Sequence, residues 1–597
     1  MRNYAMVQDL LTKDLARWLP VDFDGSTFSL ALASERGWTG RQVAAALQVQ
    51  ALFKKLAPNG QSDTAVKATL EKFSALNKTV HFDPPNEGDS ESMTYMLHIF
   101  RDEVWKVLDN WLEGGSNFDL QYIEGHFAAG PGASRMADSR NFYTKLFDSN
   151  HSVTSPYVLA LFRAAVRNSS TWHSALTAWG RSFRPVTVSG NTLFTVPKNS
   201  EISRTCCTEP LLNMLMQKAL GTWFEERLGQ VLGIKLDTQP DVNRALTRVG
   251  SEDGSFGTID LSSASDSIAM TLCEWCLPPS CMKWVRLFRS PIVRYPDGHE
   301  EELRMVSTMG NGFTFPLETI IFACAVRAVY ISKAVKPCFW SGPRLNAAVF
   351  GDDLVVRKDC FDTLKRLLVR LGFTVNESKS FNTGLFRESC GYDYWQGFNI
   401  RPVHIETLEA PQDVYSSFNR LSRWSAQNQL PIQSTLDAIW KMGKHNCLIP
   451  FSEADDVGFK VPFSVLKRWK EDERGWTTYK MWTPKSTAQK VPKDLKDAKL
   501  LDYRGYNPWG WELTFLGGYA HNPEIALETR DPLDTRKARE FDDVINRRPF
   551  QGEVIPRRLR TGSIPFWDWF GVQDTGRFRS VSFDRWKAVV ASVAMTE

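Results

Sequence analysis

Several things that would place a sequence in a class at once are scarce here. With 72 basic and 68 acidic residues the formal net charge is only +4, so a polyanionic partner must be met by local basic surfaces and not by the molecule as a whole. Ten cysteines are scattered over 597 residues without framework spacing, two of them adjacent at Cys206 and Cys207. That excludes a disulfide scaffold and predicts free thiols in a reducing cytoplasm. "CEWC" (Cys273 to Cys276), with Cys281 nearby, reads as half a zinc site, but no second pair lies at a usable distance, and cysteines on a buried helix are the better reading. There is no internal repeat or low-complexity tract, which argues against solenoids and arrays. No apolar run is clean enough to cross a bilayer: the window Phe313 to Ile331 carries Pro316, Glu318 and Arg327 and predicts a buried globular helix. The first residues carry Asp9 and Asp14 and do not read as a secretory signal, so export is not expected.

What is present is a long, ordinary globular composition with 21 tryptophans, too long for one hydrophobic core. The first 120 residues read mostly as helix. In "VWKVLDNWL" the residues Val104, Trp105, Val107, Leu108, Trp111 and Leu112 form one stripe at helical spacing, a core face. Phe127 to Gly190 is rich in Gly, Ser and Arg around a helical "YVLALFRAAVR", a composition typical of functional loops. From Gly257 to Ile400 β-prone runs alternate with helical ones. After Arg401 a helical stripe returns, with Val414, Phe418, Leu421 and Trp424 inward and Arg420 and Arg423 outside. In the last hundred residues Arg547, Arg548, Arg557, Arg558 and Arg560 lie near Trp567 and Trp569. They fit either phosphate contacts with stacked bases or a charged surface over an aromatic core.

The chemistry is expected at two places. "AAVFGDDLVV" reads as a hairpin with Asp352 and Asp353 at its tip, two acids that repel each other in an apolar setting. "FGTIDLSSASDS" reads as a strand from Phe256 to Leu261, with Asp260 at its end and a Ser/Asp cluster capping a helix through Ile268, Leu272 and Trp275. If both strands share a sheet, Asp260 and Asp352 meet at adjacent strand ends, and hard divalent cations, magnesium or manganese, would offset the repulsion. Two such ions about 3.5–4 Å apart activate a hydroxyl and stabilise a leaving oxygen. "CFDTLKRLLVRLGF" then gives a helix with Phe361, Leu364, Leu367, Leu368 and Leu371 inward, ended by Gly372, and the chain returns as "FTVN". The order strand, helix, hairpin, helix, strand is that of a ferredoxin-like sheet.

"TVPKNS", "TIDLSSASDSI", "STMGNGFTF", "FGDD" and "GLFRESCG", in that order, resemble the palm of template-dependent polymerases and, more narrowly, the catalytic (beta) replicase subunit of levivirus-type RNA bacteriophages. The resemblance is strong from about Phe127 to Arg401. It implies an α+β right-hand fold of fingers, palm and thumb, with a ferredoxin-like antiparallel palm sheet and largely helical fingers and thumb. The expected regions are 1–125, helical and part of the fingers; 126–250, fingers with a triphosphate loop; 251–400, palm; 401–490, helical thumb; and 491–597, a Trp/Arg-rich end.

By the same resemblance Asp260 and Asp352 bind two magnesium ions, with manganese as a possible substitute, Asp353 assists, and the Ile259 carbonyl contributes. Asp266 reads the ribose 2′-hydroxyl, the group that separates ribonucleotides from deoxyribonucleotides. Gly310 and Gly312 allow close backbone approach beside template and sugar. Many animal-virus polymerases supply an asparagine as partner of the sugar-reading acid where this chain has Glu318, which leaves Asn311 or Ser265 as substitutes; Asn311-Gly312 also reads as an ordinary turn. Lys198 and Arg204 fall where cations neutralise the triphosphate, and Lys379 where a general acid protonates pyrophosphate. Arg387 and Glu388 fall in a hairpin that grips the primer end, with an intramolecular ion pair as the alternative. The implied activity is RNA-directed RNA synthesis from nucleoside triphosphates on a single-stranded RNA phage genome. The implied setting is the cytoplasm of an infected bacterium, with template RNA, elongation factors Tu and Ts and ribosomal protein S1 as partners. A reverse transcriptase and a non-catalytic RNA-binding or assembly protein are the rival readings; the second leaves the spaced acids unexplained.

Overall fold

The computed structural model describes residues 2–21, 23–25, 28–56, 63–109, 117–128, 133–136, 145–146, 150–167, 169–177, 185–197, 203–340, 342–484 and 557–569, together with 509 and 513. Lys198, Trp111, Leu112, Arg547 and Arg548 lie outside them.

Helices dominate the first part: α1 (Arg2–Leu15), α2 (Gly40–Ala51), α3 (Asp63–Thr79) and α4 (Glu91–Leu108). A hairpin of β1 (Asn191–Pro197) and β2 (Ser203–Thr208) leads into α5 (Leu211–Arg227) and α6 (Gln239–Asp253). The strand expected from Phe256 to Leu261 is broken at Asp260 into β3 (Phe256–Ile259) and β4 (Leu261–Ser262). Then follow α7 (Thr314–Ser332), β5 (Ala347–Phe350), β6 (Asp353–Arg357), α8 (Phe361–Arg370) and β7 (Thr374–Val375). A second hairpin, β8 (Phe386–Ser389) and β9 (Tyr392–Trp395), precedes α9 (Pro411–Asn428) and α10 (Gln433–Met442). Last comes a three-stranded antiparallel sheet of β10 (Lys470–Glu471), β11 (Thr477–Pro484) and β12 (Arg557–Ile564), with β12 on one side.

The central sheet runs β3-β6-β5, antiparallel, and β4 carries it on by pairing with β7. The chain therefore changes partner at Asp260, which explains the break. Beneath lies α7, buried almost throughout from Thr314 to Tyr330. A helix apolar on all sides must be covered on all sides, and α4, α5 and α8 share its core. Among the described residues it alone is long and apolar enough to cross a membrane, and most of it is buried inside the protein. Arg327 on α7 pairs with the buried Glu103 on α4, so the charge that breaks its apolar run is neutralised within the protein. All ten cysteines are free.

The Ser/Asp cluster does not cap the helix as expected. Ser265–Ser267 form a single 3-10 turn, Ile268 is extended and accepts from the Val306 N–H, and the helix starts only at Met270 with no side-chain cap. Backbone pairing outcompetes the cap.

Residues from the first 125 positions pack into two cores. Val7, Leu11, Leu15, Val43 and Leu52 share a core with Trp395, Phe418, Leu436 and Phe459, whereas Phe73, Phe100 and Val104 belong to the core around α7. Asp14 accepts from the Thr435 N–H and hydroxyl, both at 2.9 Å, and so caps the first turn of α10 from α1. Replacing the fully buried Leu11 by alanine is expected to cost about 2–5 kcal/mol, measured by urea denaturation. A change within about 0.5 kcal/mol, the range of an ordinary surface site, would mean that α1 is dispensable to this core.

Candidate active site

The carboxylate hairpin is built from its turn outward. Phe350 pairs with Asp353, leaving Gly351 and Asp352 as a two-residue turn. Gly351 has φ +57°, the positive value that the first position of such a turn requires. A Cβ there would also lie 2.5 Å from the Phe315 ring. Its N–H donates to Thr319 Oγ1 on α7 at 3.1 Å, fixing the turn to the buried helix.

Leu354 is opposite Ile259, so continuing that antiparallel register sets Asp353 opposite Asp260. The three acids are thus gathered on adjacent strand ends, as the sequence led us to expect. Burial first, then Asp353 and Asp260, pushes the Asp352 carboxyl up to about 6. Burial also raises Asp353, against an opposing hydrogen bond from the Cys390 N–H. That N–H is aimed by the β8–β9 turn, where Cys390 (φ +47°) and Gly391 (φ +74°) form the doubly positive pair of a two-residue hairpin. Asp260 Oδ2 accepts from Asn376 Nδ2 at 2.8 Å, and Lys379 Nζ lies 3.9 Å from the same oxygen. Asn243 on α6 donates to the Asp353 carbonyl at 3.0 Å and to Ser389 Oγ at 3.2 Å. Neither Asn376, Asn243 nor Cys390 carried a local sequence signal, because each reaches the acids from a distant segment.

Among the described residues these acids do not close into a ready-formed metal shell. Their donor set is nonetheless what a hard divalent cation requires: carboxylate oxygens, two of which, on Asp352 and Asp353, burial and neighbouring acids push above the usual range. The Ile259 carbonyl is engaged in the sheet. Thr258 exchanges both backbone hydrogen bonds with Phe381 (2.9 and 2.8 Å), which turns the backbone groups of Ile259 into the ladder with Leu354.

A second group of acids lies beside the first. Asp266 is 8% exposed; Thr205 on β2 donates to its Oδ2 at 3.3 Å, while Oδ1 has no partner. Burial pushes it up to about 6. Glu318 on α7 is 3% exposed, hydrogen-bonds Ser265 and leaves Oε1 unpartnered. Burial, then Asp352 and Asp266, raises it well above the usual carboxylate range, which favours the protonated form, the one able to donate a hydrogen bond. The sequence marked Glu318 only as a departure. Asn311 is buried, its Oδ1 accepts from the Phe313 N–H at 2.9 Å, and its Nδ2 is unpartnered, so the turn reading holds for its oxygen. Gly310 (φ +121°) lets the loop meet β2, where a Cβ would sit 2.2 Å from the Cys207 carbonyl. Gly312 packs on the backbone of α5 at Gln217 and Lys218. Both close approaches are to protein backbone. Arg204, exposed on β2, is near enough to Asp352 to oppose the rise of its carboxyl.

Burial overturns one expectation and decides between two open readings. Arg387 is 1% exposed and donates to the carbonyls of Phe256, Thr383, Gly384 and Phe386, so it ties the β8–β9 hairpin to β3 and cannot grip RNA. Glu388 pairs with Arg401 at 3.1 Å and not with Arg387. Trp569 is fully buried and its Nε1–H donates to the Val461 carbonyl at 2.8 Å, which removes it as a stacking platform.

The folded chain holds the Asp352 proton more tightly than the unfolded one, so its ionisation subtracts stability as pH rises between about 4 and 6, and the loss persists above. Asp352→Asn is therefore expected to raise the unfolding free energy, measured by urea denaturation in EDTA at pH 7.5, by about 1–2 kcal/mol. The gain should shrink towards zero near pH 4. Equal stability of the two proteins at both pH values would contradict this crowding.

A model of the RNA replicase beta-chain family matches residues 49–446. The RNA-directed RNA polymerase beta chain of Escherichia phage MS2 is 39% identical over 257 residues, 42% of this chain and 45% of that protein. That of Enterobacteria phage GA is 37% identical over 298 residues, 48% of this chain and 52% of that one. The RNA-directed RNA polymerase subunit beta of Qbeta virus (strain MX1) is 31% identical over 374 residues, 59% and 58% respectively. The chain thus spans about half the length of these relatives. Among solved structures, an insertion-loop deletion mutant of the RNA-dependent RNA polymerase of a human picorbirnavirus is similar with TM-score 0.41 and 13% identity, over 70% of this chain and 86% of that one. With the match to the replicase model spanning β3, the carboxylate hairpin and the loops that support them, this chain belongs to the RNA replicase beta-chain family.

Proposed function

We propose that this chain is an RNA-directed RNA polymerase that copies a single-stranded RNA phage genome, the 3′-hydroxyl of the growing strand attacking the α-phosphate of a nucleoside triphosphate and releasing pyrophosphate. The observation that carries this reading is the meeting of Asp260 with Asp352 and Asp353 at the ends of adjacent antiparallel strands. The names of its relatives support it. In this reading the sheet β5-β6-β3, extended by β4 and β7, is a ferredoxin-like palm in a right-hand fold, with fingers before it and a helical thumb in α9 and α10.

Divalent cations of the magnesium type, when bound, supply Lewis acidity to the attacking and leaving oxygens, and Asp260, Asp352 and Asp353 are the residues that hold them. Arg204 places positive charge towards the triphosphate; Lys198 shares that role by resemblance alone. Lys379 is near enough to Asp260 to be oriented by it and to give a proton to pyrophosphate. Asp266 accepts from the ribose 2′-hydroxyl, and Glu318 in its protonated form, held by Ser265, donates to it. The template, the elongation factors Tu and Ts, ribosomal protein S1 and the cytoplasm of an infected bacterium complete this proposal.

Asp352→Asn should lower primed RNA synthesis by about 10²-fold or more while template binding in a filter assay is kept. Undiminished synthesis would sink the reading, and loss of binding equal to loss of synthesis would favour the non-catalytic RNA-binding alternative. Wild type should incorporate UTP in preference to dTTP; the opposite order would favour a reverse transcriptase. Glu318→Gln, which keeps a donor, should retain that preference, and Glu318→Ala should weaken it. Equal preference in the two variants would remove Glu318 from sugar selection.

A further inference from the structure

The last sheet carries a surface that the carboxylate site does not use. Its core is small: Ile449, Val457, Tyr479 and Trp569, with Phe463, Leu466, Met481 and Ile564 packed on it. Above that core two large aromatic side chains face solvent, Trp469 at 51% exposure and Phe566 at 56%. Both flank the half-buried Phe463, with ring centroids 5.1 and 6.1 Å from it. Lys470 pairs with Thr478, which pairs with Ser563, so β10, which follows Trp469, lies level with the end of β12 that leads to Phe566.

Cations flank Trp469 and continue along β12. Lys467, Arg468 and Lys470 are exposed on either side of Trp469, and Arg558 and Arg560 are exposed along β12. From Ile564 back to Arg558 the strand covers about 20 Å. None of these five has an ion-pair partner among the described residues. Neighbouring arginines behave differently: Arg557 is fixed by Asp456 at 2.5 Å, and Arg474 by Asp472 at 2.7 Å and by the Trp476 ring at 4.0 Å. The acids Glu471, Asp472 and Glu473 lie in and beside the β10–β11 turn, at the Ser563 end of β12, where Arg474 donates to Ser563 Oγ at 2.8 Å and neutralises Asp472.

Exposed rings beside uncompensated cations suit a chain that presents flat π-faces and a negative charge at each repeat. A duplex hides its base faces, an acidic peptide has no use for the rings, and single-stranded nucleic acid uses both. We propose that Trp469 and Phe566, with Lys467, Arg468 and Lys470 beside them and Arg558 and Arg560 along the β12 edge, form a binding surface for single-stranded RNA separate from the carboxylate site. The inference does not need the polymerase reading to hold, since it concerns binding without nucleotide addition.

The test uses the full chain in EDTA with a fluorescent unstructured oligouridylate containing 4-thiouridine. Ultraviolet crosslinking followed by mass spectrometry should recover RNA on peptides containing Trp469 or Phe566. The double variant Trp469→Ala/Phe566→Ala should lose those crosslinks and weaken binding about tenfold, and a duplex of equal length should compete poorly. Arg558→Gln/Arg560→Gln should lower the slope of log affinity against log salt by about 1.4. Absence of crosslinks from both peptides overturns the proposal. So does an unchanged affinity and salt slope in both folded double variants, or competition by polyglutamate as strong as by RNA, which would mark the face as a site for an acidic protein.

Discussion

The structure turns on the repulsion between carboxylates that the chain holds closer together, and drier, than they would settle on their own. Asp260, Asp352 and Asp353 meet because two strands cannot pair in register without bringing them together, and the register is set by buried residues on either side. Donors supplied from elsewhere make this tolerable: the Asn376 amide on Asp260 and the Cys390 N–H on Asp353. The surrounding fold meets the remaining cost through cohesion far from the acids, in the large core around α7. A site built in this way is prepared for positive charge before any arrives.

The second acidic group extends the same logic. Glu318 and Asp266 are deeper, and the cheapest state for a buried carboxyl without a cation is the neutral one. Burial thus raises Asp266 as far as Asp352, to about 6, and Glu318 well above the usual carboxylate range.

How much of this could be read from the sequence depends on how local each signal is. The hairpin around Gly351 and the helix Phe361–Arg370 were legible because alternation and helical spacing are properties of neighbours. The gathering of Asp260 with the hairpin acids was legible once both strands were taken into one sheet. The strand break at Asp260 was not, since it depends on a change of partner from β6 to β7. Arg387 was misread because arginine is normally exposed, and only the tertiary fold reveals four carbonyls converging on it. Trp569 was open to two readings, and burial decided between them; Asn376 and Asn243 act across more than a hundred residues of chain and left no pattern to find.

The shared core of the first fifty residues with residues 386–461 has a consequence for biosynthesis. During translation α1 and α2 leave the ribosome long before the segment that will cover their apolar faces has been made, an interval on the order of tens of seconds at ordinary elongation rates. Through that time Val7, Leu11 and Val43 have no native neighbours from the later segment to bury them. That stretch of the nascent chain stays sticky until the later helices arrive.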